Sequence, residues 1–196
     1  MGWLLSLRRL GLGAAVSVAA LAGSACAPPM SMRPIGGLPP TRNAEVGAAL
    51  AGVGPRPYAI ESWQAVGQAW ASTRLSRRVD VSAITAFDDS GFALGGALRY
   101  AFVDGSRVWF GAEAEAGYLW VAAVLPASLR IAGELRVYTA PRLGNWGSEW
   151  TPGIPLGLSI PLYDGFVLRA EGQVSWADFK YYNRRLLAAG AIVYQW

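Results

Sequence analysis

Residues 166–176 read FVLRAEGQVSW, and their order decides what kind of structure the chain can form. One set of alternate positions is Phe166, Leu168, Ala170, Gly172, Val174 and Trp176; the other is Val167, Arg169, Glu171, Gln173 and Ser175. Successive side chains of a β-strand point to opposite faces. The stretch is therefore a strand with one apolar face and one face that carries charges of both signs.

The same alternation recurs on either side. Segments 67–75, 79–87, 92–102, 108–120, 129–137, 154–162 and 186–196 each sort into an apolar set and a second set that is polar or small. Turn signals separate several of them, most clearly Asp88-Asp89-Ser90-Gly91, Asp104-Gly105-Ser106 and Tyr163-Asp164-Gly165. Across all eight segments the apolar sets hold no charged residue. The opposite sets hold Arg74, Arg99, Arg130, Arg136 and Arg169 together with Asp80, Glu113, Glu115, Glu134 and Glu171.

A charge on the lipid side of a spanning strand costs roughly 2–4 kcal/mol at mid-membrane. Strands that cross a bilayer must turn such residues inward, where arginines and carboxylates can pair. A soluble β domain would show its charged face to water and carry lysines there. Here the charge-bearing face is otherwise rich in Gly, Ala and Ser, and the chain has a single lysine, Lys180. Aromatic residues gather at strand ends on the apolar face, with Phe87 and Phe92 beside one turn and Tyr100, Phe102 and Phe110 beside the next. That is the distribution of interfacial girdles. The expected fold is all-β: a closed antiparallel up-and-down transmembrane barrel over residues 44–196, with eight strands. Residues 44–53 (AEVGAALAGV) and 60–66 could add to the wall, and an even strand number would then require ten. Pro155 and Pro161 mark the strand at 152–162 as bulged or short. Residues 140–150 (APRLGNWGSEW) read as the longest loop.

Composition agrees. Apolar residues make up 53% of the 196 and charged residues 15%, against roughly 25% charged in soluble domains. Beyond the N-terminus no apolar run reaches the ~20 residues of a spanning helix. The formal charge of +4 falls when Arg8 and Arg9 are set aside, and no basic block exceeds two residues. Nucleic acid is not an expected partner.

Residues 1–25 have the parts of a secretory signal peptide: Arg8 and Arg9, an apolar stretch from Leu10 to Leu21, and a small-residue exit at Gly23-Ser24-Ala25. Cys26 is the only cysteine, so an intramolecular disulfide is impossible. Its place after Ala25 resembles a bacterial lipoprotein processing site, which implies acylation of Cys26. The motif departs from that family's at Gly23, where leucine is preferred. Residues 26–43 are rich in proline and read as a tether.

The chain ends on Trp196 with Tyr194 two places earlier. This resembles the C-terminal signature of bacterial outer-membrane proteins, and the span from Gly67 to Trp196 resembles the small-barrel group that includes the OmpA transmembrane domain and OmpX. The resemblance implies a Gram-negative outer membrane, surrounding lipids and the barrel assembly machinery as partners, and Tyr194 and Trp196 as the assembly signal. Known barrels of this size that act on lipid acyl chains use a histidine with a serine. This chain has no histidine, which excludes that mechanism and the Ser-His-Asp arrangement. Glu113 and Glu115 share a face, but five arginines share it with them. No metal site, cofactor or enzymatic activity is expected.

The function expected is therefore a structural or envelope-related barrel whose lumen is plugged by Arg/Glu pairs. A narrow channel for small solutes or ions is one alternative. A lipid-anchored soluble barrel that binds an apolar ligand is another, and it would require the two faces to be exchanged. Leu158→Arg places a charge in the middle of a predicted lipid-facing row. The variant should fail to reach the outer-membrane fraction in its heat-modifiable form on gels; normal assembly would mean that the faces are reversed.

Overall fold

The computed structural model describes residues 42–54, 63–88, 91–118, 120–146, 149–176, 179–180 and 184–196. The expected signal peptide, Cys26 and the expected tether up to residue 41 lie outside the described residues. Among the described residues the chain forms one closed antiparallel sheet of ten strands. They are β1 (Ala44–Val53), β2 (Gln64–Ser76), β3 (Val79–Asp88), β4 (Gly91–Asp104) and β5 (Val108–Gly117). β6 follows in two pieces, Trp120–Val124 and Ala127–Ala132, and β7 in two pieces, Leu135–Thr139 and Arg142–Trp146. β8 (Glu149–Pro161), β9 (Phe166–Trp176) and β10 (Arg184–Gln195) complete the wall. Each strand pairs with the next, and β10 returns to β1 through a ladder from Glu45↔Gln195 to Val53↔Leu187.

The split strands are continuous in register. β5 pairs Glu113 with Val124 and Phe110 with Ala127, so the count runs unbroken past Leu125-Pro126. β6 and β7 likewise pair Val124 with Arg142 and Ala127 with Thr139 on either side of Ala140-Pro141. Proline has no N–H to give to a ladder, so pairing is interrupted while the strand goes on. Backbone bonds cross the gaps: Leu125 donates to the Pro141 carbonyl at 2.8 Å and Gly111 to that of Pro126 at 3.0 Å. Thr139 Oγ1 donates to the Pro155 carbonyl at 2.6 Å, which ties the proline of β8 to its neighbour.

The expected count of eight strands is corrected to ten. Residues 44–53 are a full wall strand. The segment 129–137 is the end of one strand and the start of another, joined at Gly133-Glu134, where Gly133 takes the left-handed φ of 54°. The segment 108–120 likewise crosses a turn at Tyr118, so Trp120 faces inward instead of continuing the apolar row. Residues 140–150 are largely strand. Pro126 and Pro141 disguised both strands as breaks, because proline normally ends a pairing pattern.

The outer wall is apolar. Leu50, Leu98, Val121, Leu129, Ile131, Ile154, Leu156, Leu158, Leu168, Leu186 and Ile192 are all exposed, Leu156 at 65%. Among the described residues no charged side chain occupies this face except Arg184, the first residue of β10. Aromatic contacts lie at the strand ends. Tyr100 meets Phe102 at 5.6 Å between ring centroids, Phe102 meets Phe110 at 5.5 Å, and Tyr194 lies between Phe166 and Trp196. A soluble barrel holding an apolar ligand would need the opposite arrangement.

Small residues make the interior narrow enough to fill. Trp70 lies over its cross-strand partner Gly47, Tyr138 over Gly157, and Trp120 over Gly117. A Cβ at any of these glycines would overlap the ring beside it. Gly172 faces outward into open space. Gly157→Val should therefore destabilise the barrel by about 1–3 kcal/mol, as overpacking does, whereas Gly172→Val should not. Urea midpoints in detergent, followed by tryptophan fluorescence, test the contrast.

Candidate functional site

Among the described residues, charged side chains are collected away from water in the lumen. It begins with Glu45 on β1, which is 0% exposed. Arg169 of β9 reaches it through two hydrogen bonds, Nη1 to Oε1 at 2.9 Å and Nη2 to Oε2 at 2.6 Å. Trp70 Nε1 donates to Oε1 at 2.8 Å, and Gln195 Nε2 to Oε2 at 2.7 Å. Both carboxylate oxygens are thus met twice, by donors from β2, β9 and β10. The four strands converge here because β1 sits between β10 and β2 in the sheet, and β9 is next to β10.

A second group stands on β4, β5 and β7. Arg99 donates through Nε to Glu113 Oε2 at 2.7 Å, and its Nη2 approaches the same oxygen. The Arg99 guanidinium lies 5.6 Å from the centroid of Trp109, within cation–π range. Arg142 Nη2 donates to Glu115 Oε2 at 3.0 Å and also lies in the field of Glu113 and Glu171. Tyr138 stands beside Glu171, with Arg169 nearby. Arg74 and Asp80 form a looser pair at 3.6 Å near the β2–β3 turn, with Arg99 also acting on Asp80. The charges therefore follow one another around the interior, from Arg74 through Glu113, Arg142 and Glu171 to Glu45.

Beside the belt the interior buries neutral polar side chains, among them Gln68, Ser72, Ser159 and Gln173, and an apolar cluster. Ala49, Ala51, Val53, Val66, Trp70, Ala86, Val167, Leu187, Ala191 and Val193 pack into one cluster from β1, β2, β3, β9 and β10. Charged belt and apolar cluster meet at Trp70, whose ring belongs to the cluster and whose N–H belongs to Glu45.

Of the ten charges selected from sequence, Asp80, Arg99, Glu113, Glu115, Arg169 and Glu171 are buried, and Arg74 is half-buried. Arg130 and Arg136 are half-buried at the rim, where Arg136 donates to Ser128 Oγ at 3.2 Å and to the Ser106 carbonyl at 3.4 Å. Glu134 is placed in the exposed β6–β7 turn, outside the lumen. Sequence reasoning missed Glu45 and Arg142. Glu45 was in a segment whose two faces are nearly equally apolar beyond it. Arg142 follows Pro141 in the supposed loop, although inward positions Arg136, Tyr138, Ala140, Arg142 and Gly144 keep a period of two straight through it. Tyr194 and Trp196 face outward at the terminal end, where Asn43 and Ala44 both donate to the Trp196 carbonyl.

Among the described residues no group of three or more Asp, Glu and Cys side chains is placed to hold a metal ion. The lumenal carboxylates that have resolved partners are held by arginine, so none is arranged as a free acid–base pair. No protein-family model matches the chain, and no curated protein does. Solved structures similar to the chain include Neisserial surface protein A, at 11% identity over 78% of this chain and 96% of that one, and the N-terminal β-barrel domain of Pseudomonas aeruginosa OprF, at 13% identity over 79% and 98%. The TM-score is 0.36 for each.

Removing one partner from a buried ion pair leaves the other uncompensated and costs roughly 3–5 kcal/mol. Glu45→Gln should lower stability by about that amount, since Arg169 would lose its counter-charge while Trp70 and Gln195 stay in place. Arg77→Gln breaks only the exposed pair with Asp104 at 3.7 Å and should change stability by less than about 1 kcal/mol. Equal shifts in the urea midpoint would show that burial of Glu45 does not govern its contribution.

Proposed function

We propose that the protein is a non-enzymatic barrel of the Gram-negative outer membrane with a structural or envelope-related role, its lumen closed by the charge belt and the apolar cluster. The observation that carries this reading is the division of faces: apolar outside over all ten strands, charged and paired inside. In water such a molecule would expose an apolar surface far larger than the few hundred Å² that soluble monomers tolerate. In a bilayer the same surface is the solvated one. Outer-membrane lipids are then its surroundings, and the outward Tyr194 and Trp196 are the residues offered to the barrel assembly machinery. Acylation of Cys26 would add a second attachment through the tether, at about 0.8 kcal/mol per buried CH₂.

A narrow channel is the second reading, favoured by the charged residues that line the interior. Glu45, Asp80, Glu113, Glu115 and Glu171 share it with Arg74, Arg99, Arg142, Arg169 and the inward Arg185, five of each sign, so the belt by itself selects neither cations nor anions. Against it, Trp70, Trp109, Trp120 and Tyr138 are all buried in the same interior.

The membrane fraction, run on gels with and without boiling, should give a faster band when unboiled. The purified protein in a planar bilayer should then leave conductance at the baseline. Discrete conductance steps would replace the plug with the channel. A protein found in the soluble fraction would overturn both.

A further inference from the structure

At the end of the barrel that carries the termini, the turns on one side are strongly basic. Arg77 and Arg78 form the β2–β3 turn, Arg107 stands in the β4–β5 turn, and Arg130 and Arg136 flank the β6–β7 turn. Asp104 and Glu134 are the acids among them. Arg130 and Arg136 are direct partners across the strand pair, a position where like charges repel. The hydrogen bonds of Arg136 go to neutral acceptors, a serine hydroxyl and a backbone carbonyl. Arg107 is joined to this pair through its carbonyl, which accepts from the Arg130 N–H at 2.8 Å. Five arginines against two acids leave this half of the rim in need of anions.

The outer side of the same rim states which anion. Arg78 is exposed, and its carbonyl accepts from the Ala101 N–H at 2.8 Å, which places it beside Tyr100. Tyr100 belongs to the outward row that continues through Phe102 and Phe110, with Val103 and Val108 exposed beside them. The register shift between Ala101 and Val103 lets Phe102 and Val103 both reach the outside. A guanidinium beside a phenol, among exposed rings at the rim and with Leu98 exposed two places further from the turn, matches a molecule with an anionic head and hydrocarbon tails. A soluble polyanion would use the arginines and leave the apolar residues uncovered.

We infer that Arg78, Tyr100 and the rings of Phe102 and Phe110 form a binding site for an anionic phospholipid, its phosphate on Arg78 with Arg77 and Arg107 adding to the field, and its acyl chains passing from the rings over Tyr100 towards Leu98. Charge-assisted bonds from guanidinium to phosphate are among the stronger ones in proteins. Basic residues at a bilayer surface favour anionic over neutral headgroups. The inference rests on the membrane reading above.

The test is native mass spectrometry of the full barrel, released from detergent containing equal amounts of phosphatidylglycerol and phosphatidylethanolamine. The wild-type protein should retain phosphatidylglycerol in preference, and Arg78→Gln should reduce that preference by about tenfold, as expected for loss of a charge-assisted bond. Tyr100→Phe should weaken it less. Arg184→Gln, at the opposite rim, should leave it unchanged. All three variants should keep the unboiled gel shift of the parent, which separates loss of the site from loss of the barrel. Equal retention of the two lipids by wild type, or an unchanged preference in Arg78→Gln, would overturn the site while the membrane reading stands. Displacement of the lipid by poly-glutamate would reassign the rim to a soluble acidic partner and also overturn it. If the protein shows no gel shift and no lipid adduct of any kind, the membrane reading fails first.

Discussion

A carboxylate sealed inside a barrel has no water to solvate it, and the way this chain solvates Glu45 explains much of the rest. Burying a lone charge costs several kcal/mol even after relaxation. Glu45 is met by a two-pronged guanidinium, an indole N–H and an amide, so each oxygen accepts two bonds. Those donors come from strands on both sides of β1, including β10, whose pairing with β1 closes the sheet. The group that most needs partners therefore sits at the seam between the beginning and the end of the folded chain. Its demand can be met only in the closed barrel.

The packing of the interior follows from the same need. A lumen that brings arginines within 3 Å of carboxylates must be narrow, and a narrow lumen has little room for Cβ atoms. Glycine at positions 47, 117 and 157 lets Trp70, Trp120 and Tyr138 lie flat against the opposing strand. The rings then fill volume that water would otherwise take, and their polar edges remain available to the belt. Pairing an aromatic with a cross-strand glycine also protects the backbone that glycine leaves uncovered. Charge and packing are thus one arrangement here, joined most visibly at Trp70.

How much of this could be read from the sequence depended on contrast between the two faces. In β9 the alternation of Arg169, Glu171 and Gln173 with Leu168, Ala170 and Gly172 is unambiguous, and the faces there are as expected. In β1 a single charge at Glu45 is followed by Gly, Ala and Val on the inner face and by Ala and Leu on the outer. Inside and outside then look alike. Apolar packing within a lumen uses the same residues that lipid does, so a strand that lines the apolar cluster loses its signature. Proline added a second source of error. Pro126 and Pro141 interrupt hydrogen bonding without changing register, a distinction that depends on neighbouring strands and is invisible along one chain. The basic rim was hidden for a different reason. Arg78, Arg107 and Arg130 are far apart in sequence, and only the turns of adjacent hairpins place them side by side.

Buried ion pairs add little net stability when compared with well-packed apolar residues, so their use throughout this lumen calls for another reason. Register supplies one. Strands with a period of two exchange their faces completely when they slip by one residue. In β10 Leu186 to Val193 are apolar or small on both faces, so only Arg185 and Gln195 near its ends would register such a slip. For β9 it would turn Arg169 and Glu171 onto the apolar outer face, at roughly 2–4 kcal/mol for the arginine alone where that face meets a bilayer, and would strand Glu45 without its guanidinium. β10 lies between β9 and β1, and the pair Arg169–Glu45 reaches across it inside the barrel. A strand with little contrast along its middle is thereby held by an ion pair between its two neighbours. The charges need not make the barrel more stable to be useful; they make the alternative pairings worse.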